Sequence, residues 1–156
     1  MKQPSKIQAD NIRQRLQACT SLDGLVDILN FIQVIAELDK EKHQKITARS
    51  LNYYLYSARG REYYSFEIPK KSGGARTISA PNKNLKYILK LINIALQCLY
   101  TPMPQAHGFI PGRSIVSNAA NHIKKKYVYN IDLENFFPSI EFKRVWGVLS
   151  MLTQTK

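Results

Sequence analysis

No aspartate or glutamate occurs between Glu67 and Asp132. The same stretch holds ten basic residues: Lys70, Lys71, Arg76, Lys83, Lys86, Lys90, Arg113, Lys124, Lys125 and Lys126. A surface so free of carboxylates offers nothing to a basic partner and suits a polyanion. Cysteine is scarce as well. Cys19 and Cys98 stand far apart, with no Cys-x-x-Cys and no Cys/His cluster, which excludes a disulfide framework and the usual basis of a zinc site. They read as reduced, buried thiols of a cytoplasmic protein. No apolar run approaches the roughly 18 residues of a membrane-spanning helix, so no membrane partner is expected. The start, Met1-Lys-Gln-Pro-Ser-Lys6, lacks the apolar stretch of a signal peptide.

What is present fits one domain with a real core: 156 residues, 44% of them hydrophobic. Lysine and arginine number 23 against 11 acidic residues, a formal charge of +12, which points to nucleic acid or an anionic surface. Three stretches near the N-terminus read as helical. Leu22, Leu25, Val26 and Leu29 share a helical spacing behind a capping Ser21. After a charged link from Asp39 to Lys45, Thr47 opens a helix with Leu51, Tyr54, Leu55 and Ala58 on its apolar face, ended by Arg59-Gly-Arg61.

The period then changes. Tyr63–Ile68 and Arg76–Ala80 are β-prone runs around Pro69-Lys-Lys-Ser-Gly-Gly74, which predicts a hairpin with a basic tip. Beyond Pro81, Asn82 or Asn84 caps a long helix with Leu85, Ile88, Leu89, Ile92, Leu96 and Leu99 on one face; Lys83, Lys86 and Lys90 lie off that stripe. A further helix carries Ile115, Ala119 and Ile123. A strand over Tyr127–Ile131 delivers Asp132, and Ser139 caps a last helix with Phe142, Val145, Trp146 and Leu149. Helices around a few strands predict the α+β class. The chain closes at Gln154-Thr-Lys156 with no partner strand for Asp132, and so reads as truncated.

The segments that carry chemistry each have two readings. Asp132 at the end of a strand suits a hard metal ion that bridges phosphate oxygens, and equally an ordinary aspartate opening a turn. Phe136 and Phe137 fit a contact to a nucleotide sugar, or core packing. Lys70, Lys71 and Arg76 fit a triphosphate clamp, with Arg76 chelating and the lysines as mobile charges, or a solvated hairpin. The glycines there do not make a P-loop. In His107-Gly-Phe-Ile-Pro-Gly-Arg-Ser114, Arg113 and backbone amides at a helix start suit phosphate, or the loop is a plain connection with Phe109 plugging the core. His107 has no visible Cys or His partner. Lys124–Lys126 read as a phosphate contact or a solvated helix end, and Tyr53, Tyr54, Tyr56, Tyr63 and Tyr64 as stacking or half-buried residues.

The order of these segments is more specific than any one of them. Ile68-Pro-Lys-Lys, Gly73-Gly, Arg76-Thr-Ile, Pro81, Leu85-Lys, Gly108-Phe-Ile-Pro-Gly-Arg-Ser114 and Asn130-Ile-Asp-Leu-Glu-Asn-Phe-Phe-Pro-Ser139 together resemble bacterial reverse transcriptases, in the retron form, over roughly Ile46 to Leu152. The resemblance implies a right-hand polymerase: residues 1–45 an N-terminal helical segment, 46–126 fingers, 127–156 the first strand and helix of the palm. It implies two-metal nucleotidyl transfer with Mg²⁺, and as partners an RNA template, a nucleic-acid primer, dNTP, and the non-coding RNA and effector of a retron in antiviral defence. Asp132 and the Leu133 carbonyl match metal ligands. Phe137 matches the aromatic that selects deoxyribonucleotides. Lys70, Lys71 and Arg76 match triphosphate contacts, and Arg113 lies in a loop near template and nucleotide.

The chain departs from that family in what it lacks, including the later palm and thumb segments that grip the primer duplex. The Tyr/Phe-x-Asp-Asp motif is missing and no Asp-Asp pair occurs in the sequence. Glu134 and Glu141 belong to a turn and a following helix and do not replace it. The expectation is an RNA-directed DNA polymerase segment inactive by itself; the alternative is a non-catalytic, basic nucleic-acid-binding module.

Overall fold

The computed structural model describes residues 3–36, 45–56, 62–71 and 73–153. Its elements, in order, are α1 (Lys6–Gln17), α2 (Leu22–Ile35), α3 (Ala48–Tyr56), β1 (Tyr63–Pro69), β2 (Ala75–Pro81), α4 (Lys83–Leu99), α5 (Ile115–Ala120) and α6 (Phe142–Thr153). Helices with one small antiparallel sheet make this an α+β chain. It divides into two compact units, the first running to Leu99 and the second from Tyr100 to Leu152. In the first unit α1 and α2 share a core with α4.

Local hydrogen-bond chemistry sets the helix starts. Ser5 and Gln8 form a reciprocal capping box on α1. Ser21 accepts from the Gly24 amide at 3.1 Å, the cap the sequence predicts. Thr47 Oγ1 accepts from Ser50 N at 3.2 Å, while Ser50 Oγ accepts from Thr47 N at 3.1 Å. For α4 the structure decides between the two asparagines: Asn82 Oδ1 accepts from Leu85 N at 2.9 Å. Asn82 also donates through Nδ2 to the buried Glu62 carboxylate. Asn30 of α2 makes two bonds to the backbone of Ile46, Nδ2 to O and N to Oδ1, both 2.9 Å.

The first unit holds the core. Ile12 and Leu16 of α1, Val26, Ile28, Leu29 and Ile32 of α2, and Leu51 of α3 are buried. From α4 come Ile88, Leu91, Ile94, Ala95, Cys98 and Leu99. Each of the leucine, isoleucine and valine side chains contributes roughly 1.5–3 kcal/mol of burial. The expected α4 face needs correction: Leu89 and Leu96 are exposed, and Leu91, Ile94, Ala95 and Cys98 take the inner side. Both α1 and α2 pack on α4, and with apolar residues around much of its circumference the sequence offers two stripes. Of the predicted α3 face, the Leu55 side chain and Ala58 lie outside the described residues, as do Arg59–Arg61 and most of the 39–45 link.

The second unit departs further from expectation. No residue from Tyr100 to Leu152 is buried. The strand predicted over Tyr127–Ile131 does not form; among the described residues β1 and β2 alone pair. A strand needs a neighbour for its amides and carbonyls, and a β-prone composition does not supply one. α5 stops at Ala120, leaving Ile123 outside it, and Lys124 stands at φ +62°, which no right-handed helix accommodates. Ser139 does not cap α6: its hydroxyl donates to Phe136 O at 2.6 Å, and the helix is entered at Glu141, whose carbonyl accepts from Arg144 N.

Candidate nucleotide and nucleic-acid site

The hairpin forms as its turn residues require. Lys70 N donates to Gly74 O at 3.0 Å and Gly73 N to Lys70 O at 3.1 Å. Gly73 and Gly74 sit at φ +90° and +78°, where a side chain is strained. The register pairs Ile68 with Arg76, Phe66 with Ile78 and Glu67 with Thr77. Residues directly opposite share a face, so Arg76 lies on the face of Phe66, Ile68 and Ile78, and Glu67 on the other. An open cleft of about 410 Å³ is lined by Ile68, Pro69, Lys70, Lys71, Arg76 and Ile78. Three cations and no carboxylate thus border one concavity. Its chemistry suits a polyphosphate: a planar guanidinium for two oxygens and two mobile ammonium groups. Tyr64 and Phe66 stack at 6.0 Å between centroids on the same face, both exposed.

The structure brings Lys70, Lys71 and Arg76 together. Asp132, Leu133, Phe137 and Arg113 belong to the second unit. Asp132 lies in exposed, irregular chain before the turn of residues 134–139, where Asn135 adopts φ +51°. Its carboxylate and the Leu133 carbonyl are hard oxygens of the kind Mg²⁺ takes. Among the described residues no group of three His, Cys, Asp or Glu side chains gathers around a metal position. The pair therefore fits Mg²⁺ in donor type, with the remaining ligands left to phosphate, water or other carboxylates. Phe136 and Phe137 meet edge to face at 5.3 Å. Neither is a core residue, Phe137 being 76% exposed.

The loop from Met103 to Asn121 is built differently from what its sequence suggests. Arg113 is half-buried, and its Nη1 donates to the carbonyls of Met103 (2.6 Å), Pro104 (3.1 Å) and Ala106. His107 is hydrogen-bonded to residues other than Cys or His: Nδ1 lies 2.9 Å from Ser117 Oγ and Nε2 2.8 Å from Asn121 Nδ2. Ser117 Oγ donates to Ser114 O at 2.8 Å, so toward His107 it accepts. That assigns the ring proton to Nδ1 and leaves Nε2 as acceptor for the Asn121 amide. Ser114 and Ser117 also cap α5 reciprocally, which occupies the helix start that the sequence reading offered to phosphate. Phe109 does not plug a core; it is 97% exposed, at φ +60°. The Ser114-x-x-Ser117 spacing was the available signal for this network. The histidine's partners lie ten and fourteen residues away, beyond what a motif search for ligands looks at.

Comparison with known proteins agrees with the segment order. The family described as reverse transcriptase (RNA-dependent DNA polymerase) matches residues 68–155. The retron Mx65 reverse transcriptase of Myxococcus xanthus is 45% identical over 94 residues, covering 60% of this chain and 22% of that protein. The retron Ec86 reverse transcriptase of Escherichia coli is 33% identical over 116 residues, covering 73% of this chain and 36% of that protein. The chain thus spans about a third or less of the length of these relatives. No solved structure matches it. With more than half its length matched and relatives of the retron type, the chain belongs to the reverse transcriptase family.

Proposed function

We propose that the chain is the fingers and the beginning of the palm of a retron-type RNA-directed DNA polymerase, working on an RNA template, a nucleic-acid primer and dNTP. The cleft bordered by Lys70, Lys71 and Arg76 carries this reading, because it offers a triphosphate three cations and no competing carboxylate. In the complete enzyme Arg76 holds two phosphate oxygens and the lysines neutralise the remaining charge. Asp132, with the Leu133 carbonyl, holds Mg²⁺, and Phe137 lies against the sugar and excludes a 2′-hydroxyl. Bound Mg²⁺ supplies charge stabilisation at the phosphoryl oxygens. The exposed apolar side chains of Tyr127, Tyr129 and Ile131 support a palm strand that further strands would cover. The retron RNA is a proposed partner on the strength of the relatives' names, and an effector protein is proposed from the resemblance to retron enzymes alone.

The polypeptide by itself is proposed not to polymerise, since it carries no Asp-Asp pair. The test is primer extension with an enzyme completed through a Tyr/Phe-x-Asp-Asp strand. Asp132→Ala is expected to lower kcat by about a thousandfold or more, the several kcal/mol a metal ion supplies. Phe137→Val is expected to admit ribonucleotides. Undiminished extension by the Asp132 variant would remove that residue from the mechanism. If extension never appears, yet the chain retains RNA without Mg²⁺, the basic surface is a binding module.

A further inference from the structure

The second unit holds a device that the cleft and Asp132 do not use. Phe109 is almost fully exposed and sits in a backbone region that bulky residues rarely enter. Such a conformation persists where its surroundings over-determine it. Here the loop is tied on both sides of its apex. On the N-terminal side, His107 is bonded to Ser117 and Asn121. On the C-terminal side, Arg113 grips the carbonyls of Met103, Pro104 and Ala106. A tight turn, Arg113 N to Ile110 O at 3.1 Å, and Gly112 at φ +77° complete the apex. Two polar clamps thus hold one aromatic ring out in water.

We propose that this apex is a stacking post: Phe109 receives an unpaired base of single-stranded nucleic acid, and Arg113 and His107 are positioning residues that hold the post up. The charge around the apex fits that occupant: Lys124, Lys125 and Lys126 are exposed and available to phosphate, and within the unit no carboxylate precedes Asp132. A phenyl face stacks on any base. Arg113 satisfies peptide carbonyls through Nη1 and is assigned no phosphate. The inference rests on the nucleic-acid reading above, and it adds a contact point and reassigns an arginine.

The experiment is fluorescence anisotropy of the chain with a labelled, unstructured oligoadenylate RNA at stepped salt. Phe109→Ala removes no buried contact, so folding is not at stake. It is expected to weaken binding about tenfold, within the range found for base–aromatic stacking, with the salt slope unchanged; Phe109→Trp is expected to restore affinity. Arg113→Ala is expected to weaken binding severalfold at unchanged slope, and Arg113→Lys not to rescue it, because an ammonium lacks the guanidinium fork. A phosphate ligand behaves otherwise: its loss lowers the slope by about one and lysine largely compensates. That result for Arg113 overturns its assignment. Wild-type affinity in Phe109→Ala overturns the stacking post and turns the ring toward a protein surface. If the unsubstituted chain does not bind at low salt, the nucleic-acid reading itself fails. Amide exchange over Gly108–Arg113, expected to speed up in Arg113→Ala, still tests the clamp; no change would overturn it.

Discussion

Cys98 and Cys19 show how differently two thiols of one chain are held. Cys98 is buried at the end of α4, and burial pushes its thiol pKa up, against a smaller opposing effect of the Arg13 guanidinium and a small reinforcement from Asp10. Arg13 Nε donates to the Cys98 carbonyl at 2.9 Å. Cys19 is half-buried and its Sγ donates to Ser21 O at 3.3 Å. Iodoacetamide at pH 8 is expected to label Cys19 before Cys98, read by peptide mass. The linkage has a definite sign. The unfolded chain loses the Cys98 proton near the ordinary value of about 8.5, and the folded chain only at higher pH. Stability from this group is therefore full below about pH 8.5 and lost as pH rises through the folded pKa. Urea midpoints should fall on the alkaline side and fall less in Cys98→Ala. At this scale the sequence was legible where a residue's role depends on its neighbours in the chain. Lys70, Lys71 and Arg76 meet at one cleft because two adjacent glycines fold the chain between them. The bonds of Arg113 and His107 were not legible, because no composition rule says which carbonyl or hydroxyl a polar side chain will find.

Elements divide along the same line. The hairpin was readable because turn chemistry is local: a Gly-Gly pair between β-prone runs specifies the reversal, while the register, Pro69 opposite Ala75, follows from the five residues between them. The strand before Asp132 does not form among the described residues, because a strand is a relation between segments and composition reports one of them. α4 is legible as a helix and its inner face only in part: Ile88 and Leu99 are buried as expected, but Leu89 and Leu96 are not, since Leu85, Leu89, Ile92 and Leu96 repeat as regularly as the stripe that is buried. Its start has a measurable consequence. Asn82 both caps the helix and donates to Glu62, which is 7% exposed. Asn82→Ala is expected to cost about 1–2 kcal/mol from the cap alone, seen as a lower urea midpoint. Asn82→Asp keeps an acceptor for Leu85 N but sets a second carboxylate against Glu62, so it should not recover the loss. Full recovery would show that the Glu62 contact contributes nothing.

Over the whole molecule, order is unevenly distributed. The first unit buries side chains from four helices, whereas the second has no buried residue among those described. The slowest-exchanging amides should lie in α1, α2 and α4, with those from Tyr100 onward exchanging through low-energy openings. Ile94→Ala should cost about 2–5 kcal/mol, and Trp146→Ala, a substitution at an exposed site, within about 0.5 kcal/mol. Equal losses would contradict this division. The core was legible as an apolar content sufficient for a domain; its restriction to the first unit was not, because burial depends on which helices meet. Asn30 adds a consequence for how such a chain varies. Its side-chain amide, bonded to Ile46 through both its oxygen and its nitrogen, acts as a one-residue strand that joins positions sixteen apart. A join of that kind fixes where the chain must return and leaves free how far it travels in between. Doubling a closed loop costs only about 0.6 kcal/mol, so a join of this kind closes a short or a long stretch at similar cost, and here it moors the start of α3 to α2.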